Sequence, residues 1–199
     1  SLHVRGFTKH SSSKAAHKGT FLGVVEKIPY LKELGINQVQ CMPVYEFEEC
    51  VNGQINYWGY GEGYYFAPKH SYAAGKSASV ELKDMVRACH KAGIEVVLEM
   101  PFGEKTSVHA ALECLKFYMF EYHIDGFVVN PYTVPWEILN RDPFLKDIKL
   151  MRKDDGYQNV MRRFLKGDEN MIGDVMWALG HNSAGDGKCN YITGHTGFT

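Results

Sequence analysis

Apolar positions along the first two-thirds of the chain switch between a two-residue and a three-to-four-residue period, and the switches mark out strands and helices. Leu2 to Phe7 reads as a strand and Ser11 to Lys18 as a polar loop. Gly19-Thr20 opens a helix in which Leu22, Val25, Ile28, Leu31 and Leu34 share one face and which Gly35 ends. Pro29 inside it predicts a kink or a restart, because proline donates no N–H and its ring crowds the preceding turn. Val39 to Val44 predicts a second strand, closed by Pro43. Leu82, Met85, Val86 and Cys89 mark a second helix ended by Ala92-Gly93. Ile94 to Met100 is apolar enough for a strand buried on both faces, as in a parallel sheet, with Pro101-Phe102-Gly103 stopping it. Val108, Leu112, Leu115 and Met119 make a third helix, which leads into the short strand Ile124 to Asn130. Beyond it come a helical turn near Val134 to Leu139, a strand at Ile148 to Met151, helices at Asn159 to Leu165 and Met171 to Leu179, and a last strand at Cys189 to Gly194.

Strand–helix alternation of this kind predicts βα units and a right-handed parallel sheet, with a barrel favoured over an open sheet. The fold class expected is α/β, a TIM-type (β/α) barrel. In that architecture ligands collect at the carboxyl ends of the strands, so Asn130, the last residue of its strand, is placed to matter. Tyr45 to Ser77 breaks the alternation. It has no sustained period but is dense in rings: Tyr57, Trp58, Tyr60, Tyr64, Tyr65, Phe66 and Tyr72. Such a loop after a strand either walls a binding pocket or seals itself onto the core.

The 199 residues suffice for one domain with a sizeable core. A net charge of −1 argues against nucleic acid or a polybasic membrane contact as partner. No apolar run reaches the roughly 18 residues of a membrane helix, and no signal-peptide pattern opens the chain. Cys41, Cys50, Cys89, Cys114 and Cys189 are odd in number and form no CxxC or CxxH pair. A zinc site or a disulfide framework is therefore not expected, and Cys41, Cys89 and Cys114 read as small core residues in a reducing cytoplasm. Neither GxGxxG nor GxxxxGK[ST] follows a strand, so no nucleotide cofactor is indicated, and no metal constellation stands out. Arg5 reads as a structural ion-pair former, His90 and His123 as ordinary surface or core histidines, and Arg152-Lys153-Asp154-Asp155 as a solvated mixed-charge turn.

Several stretches, in order, resemble the α-amylase family, glycoside hydrolase family 13, and within it the isoamylase and glycogen-debranching branch. They are His3 to Thr8 (HVRGFT), Gly19 to Ile36, Met42 to Phe47, Asn56 to Tyr60 (NYWGY), Phe66-Ala67-Pro68, Gly93 to Leu98, Ile124 to Phe127, Arg162 to Asp168 and Asn190 to Phe198 (NYITGHTGF). The resemblance implies a catalytic-type barrel domain over 1–199, without the small domain inserted after the third strand. It also implies an incomplete barrel, with no eighth strand and a sixth vestigial or absent. The expected activity is retaining hydrolysis of α-1,6 or α-1,4 glucosidic bonds, without a cofactor or metal.

That chemistry needs a carboxylate nucleophile, a carboxylic acid and anionic support for an oxocarbenium-like transition state. Where the family has Gly-Phe-Arg-x-Asp, this chain reads Gly126-Phe127-Val128-Val129-Asn130. Where it has Lys-Leu-Ile-Ala-Glu, this chain reads Lys149-Leu150-Met151-Arg152-Lys153, and its His-Asp pair becomes His195-Thr196. The three catalytic positions are therefore occupied by Asn130, Lys153 and Thr196. The stretch matching Asp-Val-Val-x-Asn-His is Glu99-Met100-Pro101-Phe102-Gly103-Glu104. Three functional readings follow. One is a pseudoenzyme that holds α-glucan or a maltooligosaccharide through Tyr57, Trp58, Tyr60 and His195. Another is a structural or regulatory subunit, as a homo-oligomer or a partner of an active debranching enzyme. The third is a hydrolase with relocated acids drawn from Glu99, Glu104, Asp154 and Asp155.

Overall fold

The structure is a computed structural model describing every residue except Lys76, Asp154, 182–186 and 195–199. The chain divides into two compact units, Ser1–Lys149 and Leu150–Thr199.

The first unit begins with a departure from expectation. Only Leu2 is strand-like, through a single parallel bridge to Cys41, and a helix α1 runs over Val4–Lys9. The cause is His3, whose Nδ1 accepts the Gly6 N–H at 2.9 Å and so caps a helix where the apolar run suggested a strand. A 3₁₀ turn over Ser11–Ser13 follows. The helix expected from Gly19 to Gly35 is two helices, α2 (Phe21–Glu26) and α3 (Ile28–Glu33), with Pro29 in the first turn of α3, where its missing N–H costs nothing. The restart is as the proline foretold.

Strand β1 (Gln38–Cys41) then enters the sheet. The aromatic stretch holds four short strands, β2 (Tyr45–Glu46), β3 (Cys50–Val51), β4 (Gln54–Ile55) and β5 (Tyr64–Pro68). β2 pairs antiparallel with β5, and β3 with β4 in a tight hairpin. Asn52 and Gly53, both at positive φ, make its turn. Helix α4 (Ala78–Lys91), strand β6 (Glu95–Met100), helix α5 (Val108–Tyr122), strand β7 (Gly126–Val129) and helix α6 (Trp136–Arg141) complete the unit. Serines cap α4 and α5: Ser77 accepts from Val80 N–H and Ser107 from Ala110 N–H.

β1, β6 and β7 are parallel neighbours in that order, as the alternation predicts. Gln40, Val97 and Gly126 stand level across the three strands, and Glu99 stands level with Val128. Since side chains two apart share a face, Gln40, Val97, Glu99, Gly126 and Val128 line one side of the sheet. Gly126 is required there by space: a Cβ would lie 2.6 Å from the Lys149 carbonyl oxygen. Val96 to Met100 are all buried, and so are Leu82, Met85, Val86 and Cys89 on α4, which packs on β6. Cys41, Cys89 and Cys114 are free and buried as expected, and burial pushes the thiols of Cys41 and Cys114 up to about 12 and that of Cys89 to about 11.

The second unit contains most of β8 (Lys149–Lys153), helices α7 (Asp155–Lys166) and α8 (Ile172–Gly180), and β9 (Lys188–Cys189). β8 and β9 are parallel. Two expectations are corrected. Arg152 and Lys153 belong to a strand rather than a mixed-charge turn, and the last strand is two residues long, because Asn190 to Gly194 make no ladder. Among the described residues no helix is long and apolar enough to cross a membrane.

Candidate functional site

At the carboxyl end of β6, Glu99 is buried, only 5% exposed, and accepts side-chain hydrogen bonds from Tyr60 and Gln40. The Tyr60 hydroxyl donates to its Oε1 at 2.9 Å, and the Gln40 amide donates to its Oε2 at 3.4 Å. Burial raises the Tyr60 hydroxyl's pKa, with the negative charge of Glu99 acting in the same direction, so Tyr60 stays a neutral donor. The Tyr60 backbone is held as well. Asn56 Nδ2 donates to the Tyr60 carbonyl at 3.0 Å while its Oδ1 accepts the Gly59 N–H at 3.1 Å. The Tyr45 hydroxyl donates to the Gly59 carbonyl at 2.8 Å. Gly59 sits at φ +81° with the Phe47 ring 2.5 Å from where a Cβ would be, so only glycine fits.

Tyr57 and Trp58 meet each other and His3. The Tyr57 ring stacks on His3 at 4.6 Å, Trp58 stands edge-on to Tyr57 at 5.0 Å, and His3 Nε2–H donates to the Tyr57 carbonyl at 3.0 Å. Both rings keep over a third of their surface exposed. Behind them lies an ionic frame. Arg5 grips Glu49 with two bonds of 2.8 and 3.0 Å, as its reading as an ion-pair former anticipates. The buried Lys69 donates to Glu46 and to the Phe47 carbonyl, each at 2.6 Å. Arg5, through its hydrogen bonds, holds the Glu49 carboxyl down at about 2. An open groove of about 800 Å³ runs beside Tyr60, lined by Glu48, Gln54, Ile55, Glu62 and Tyr64 among others.

The carboxyl end of β7 is built differently. Asn130 is exposed and spends its groups on a turn: Oδ1 accepts the Tyr132 N–H at 3.0 Å, and its carbonyl accepts from Thr133 and Val134. Val128 is buried. Lys153 ends β8 in the second unit and is exposed. Of the alternative acids, Glu104 is exposed in the turn after β6, and Asp155 is exposed at the start of α7, where it accepts from the Tyr191 hydroxyl. Asp154, His195 and Thr196 lie outside the described residues. His90 pairs with Asp125 at 2.8 Å and His123 closes α5 in the left-handed conformation, so both have structural roles. The structure thus joins Tyr60 with Glu99, and Tyr57 with Trp58. Sequence reasoning missed Gln40, Asn56 and Glu62. Asn56, three residues before Gly59, carried a turn signal that could have found it.

The chain matches the family described as "Alpha amylase, catalytic domain" over residues 6–127, and it belongs to that family. It is 43% identical over 112 residues to "Isoamylase 1, chloroplastic" of Oryza sativa subsp. japonica, a match covering 51% of this chain and 14% of the relative. It is 42% identical over 109 residues to "Glycogen operon protein GlgX homolog" of Haemophilus influenzae, covering 51% of this chain and 16% of the relative. The chain is thus an isoamylase- and glycogen-debranching-like glycoside hydrolase homologue, and the matched stretch spans about a seventh of those relatives. A pullulanase from Anoxybacillus sp. LM18-11, solved with maltotetraose, superposes with a TM-score of 0.76 at 20% identity, covering 96% of this chain and 43% of that one. The fold is that of a TIM-type barrel, incomplete here.

Proposed function

We propose that this chain binds α-glucan at the Tyr60–Glu99 corner and does not cleave it. The observation that carries the reading is Asn130. At the position matching the family's nucleophile stands an amide, whose nitrogen lone pair is delocalised and whose oxygen already staples a turn. It can neither form nor release a glycosyl ester. Glycosidic hydrolysis needs a barrier lowered by something in the upper part of about 8–23 kcal/mol, beyond what binding alone supplies. Val128 likewise supplies no cation where the family has arginine, and Lys153 and Thr196 stand where the family has a proton donor and a transition-state carboxylate.

Support for retained binding comes from Tyr60, whose ring is positioned from both its hydroxyl and its backbone. A flat ring fixed in this way receives the apolar face of a pyranose without losing rotamer freedom on binding. Glu99, engaged by Tyr60 and Gln40, serves as the positioning residue rather than as a relocated acid. Residues 101–107 alone join β6 to α5, which supports the absence of a small domain inserted there. Five free thiols fit a reducing compartment, the cytoplasm in our reading. Calorimetry with maltohexaose tests the proposal: the chain gives a saturable heat that Tyr60→Ala weakens about tenfold or more. Absence of heat at millimolar sugar, or a Tyr60→Ala chain that titrates like the parent, overturns it.

A second reading, a subunit of a homo-oligomer or of an active debranching enzyme, draws on the exposed apolar side chains Ile172, Met176, Trp177 and Leu179 of α8. Sedimentation showing a clean monomer counts against its homo-oligomeric form.

A further inference from the structure

The groove beside Tyr60 has a composition of its own. One wall is the β3–β4 hairpin with Val51 and Ile55; the other is the segment from Tyr60 to Tyr64. Val51, Ile55 and Tyr64 are well exposed, and between them lie Gln54, Glu48 and Glu62. Apolar surfaces interleaved with amide and carboxylate acceptors suit a chain with C–H faces and hydroxyl edges, which is what a glucan presents. The segment is not loose. Tyr45 O–H is 2.8 Å from the Gly59 carbonyl and 3.4 Å from that of Gly61, and the Tyr65 hydroxyl donates to Gly61 at 3.2 Å.

Glu62 is the informative residue. A Cβ added at Gly103 would fall 2.3 Å from Glu62 Oε1 and 2.7 Å from its carboxyl carbon. The backbone at Gly103 is outside the left-handed region, so glycine serves there by leaving space rather than by freeing φ. Gly103 is also where the resemblance puts asparagine in the family. With no side chain at position 103, the Glu62 carboxylate lies against that backbone.

We propose that this groove is an oligosaccharide-binding extension of the Tyr60 corner, in which Tyr64 stacks on a glucose unit and Glu62, seated against Gly103, accepts hydrogen bonds from its hydroxyls. The inference rests on the glucan-binding reading and adds the residues that take the chain beyond a single sugar. Affinity should therefore rise with length from maltotriose to maltoheptaose. Tyr64→Ala and Glu62→Gln should each weaken maltoheptaose about tenfold, the loss expected when a charged acceptor or a stacked ring is removed. Both should weaken maltotriose less. Gly103→Ala, which displaces the Glu62 carboxylate, should copy Glu62→Gln with an unchanged melting temperature. If Tyr60→Ala weakens binding while these three variants titrate like the parent, or if maltotriose and maltoheptaose bind alike, the extension is wrong and the Tyr60 corner stands. If the parent binds neither sugar, both fall.

Discussion

Two neighbouring parallel strands end in opposite ways. At the end of β6 a carboxylate is kept, buried, and bonded to Tyr60 and Gln40. One strand over, at the end of β7, an amide stands exposed and ties down its own turn. The first arrangement costs desolvation of a carboxylate, which persists because hydrogen bonds compensate it and because it holds a ring in place. The second costs little and shapes a loop. The difference teaches that neighbouring strand ends of one sheet can be built in opposite ways, one holding a buried carboxylate against a ring and the other closing a turn with an exposed amide.

The largest expected effect comes from breaking the β6 side. Glu99→Ala leaves the Tyr60 hydroxyl and the Gln40 amide without this acceptor and should cost about 1–3 kcal/mol in urea unfolding, with weaker glucan binding. Equal stability of the variant and the parent would remove the positioning role of Glu99. On the β7 side, Asn130→Ala should cost about 0.5–1.5 kcal/mol, the worth of one hydrogen bond. Asn130→Asp keeps an oxygen for the Tyr132 N–H, so its unfolding midpoint should stay close to the parent's.

The frame behind the aromatic loop gives a pH test. Arg5, aided by Ser71 and Lys69, holds Glu49 at about 2 in the folded state, against an ordinary value of 4.5. The group is therefore lowered on folding. Its stabilisation is present above the ordinary value and is lost as pH falls from there through about 2. Melting temperatures of the parent should drop in that window, and Glu49→Gln should remove part of the drop; identical profiles would refute the linkage. The smallest effect is a matter of labelling. A thiol reagent at pH 8 should reach Cys50 and Cys189 in the native chain and Cys41, Cys89 and Cys114 only in denaturant.

The sheet was legible because Ile94 to Met100 and Phe127 to Val129 are nearly continuous apolar runs of the kind a covered parallel sheet buries, while Val39 and Cys41 are buried on either side of a half-buried Gln40. The helix at Val4 was not, because its cap is a histidine, an unusual capping residue, and its apolar run is too short for periodicity to decide. At the candidate site Tyr60 was visible from its motif, and Asn130 from the amide where an acid belonged. The meeting of Glu99 with Tyr60, 39 positions apart, and of Glu62 with Gly103 depends on how a loop folds back over a strand end. No local pattern encodes that.

The central claim is that a glucan bound at this corner leaves it whole. Maltoheptaose incubated to saturation with the chain and recovered for mass spectrometry tests this directly. The account predicts a single heptasaccharide species, with the parent and with Asn130→Asp alike, since one restored acid supplies neither the proton donor nor the second carboxylate. Shorter maltooligosaccharides released by the parent, and no longer released by Glu99→Gln, would contradict it.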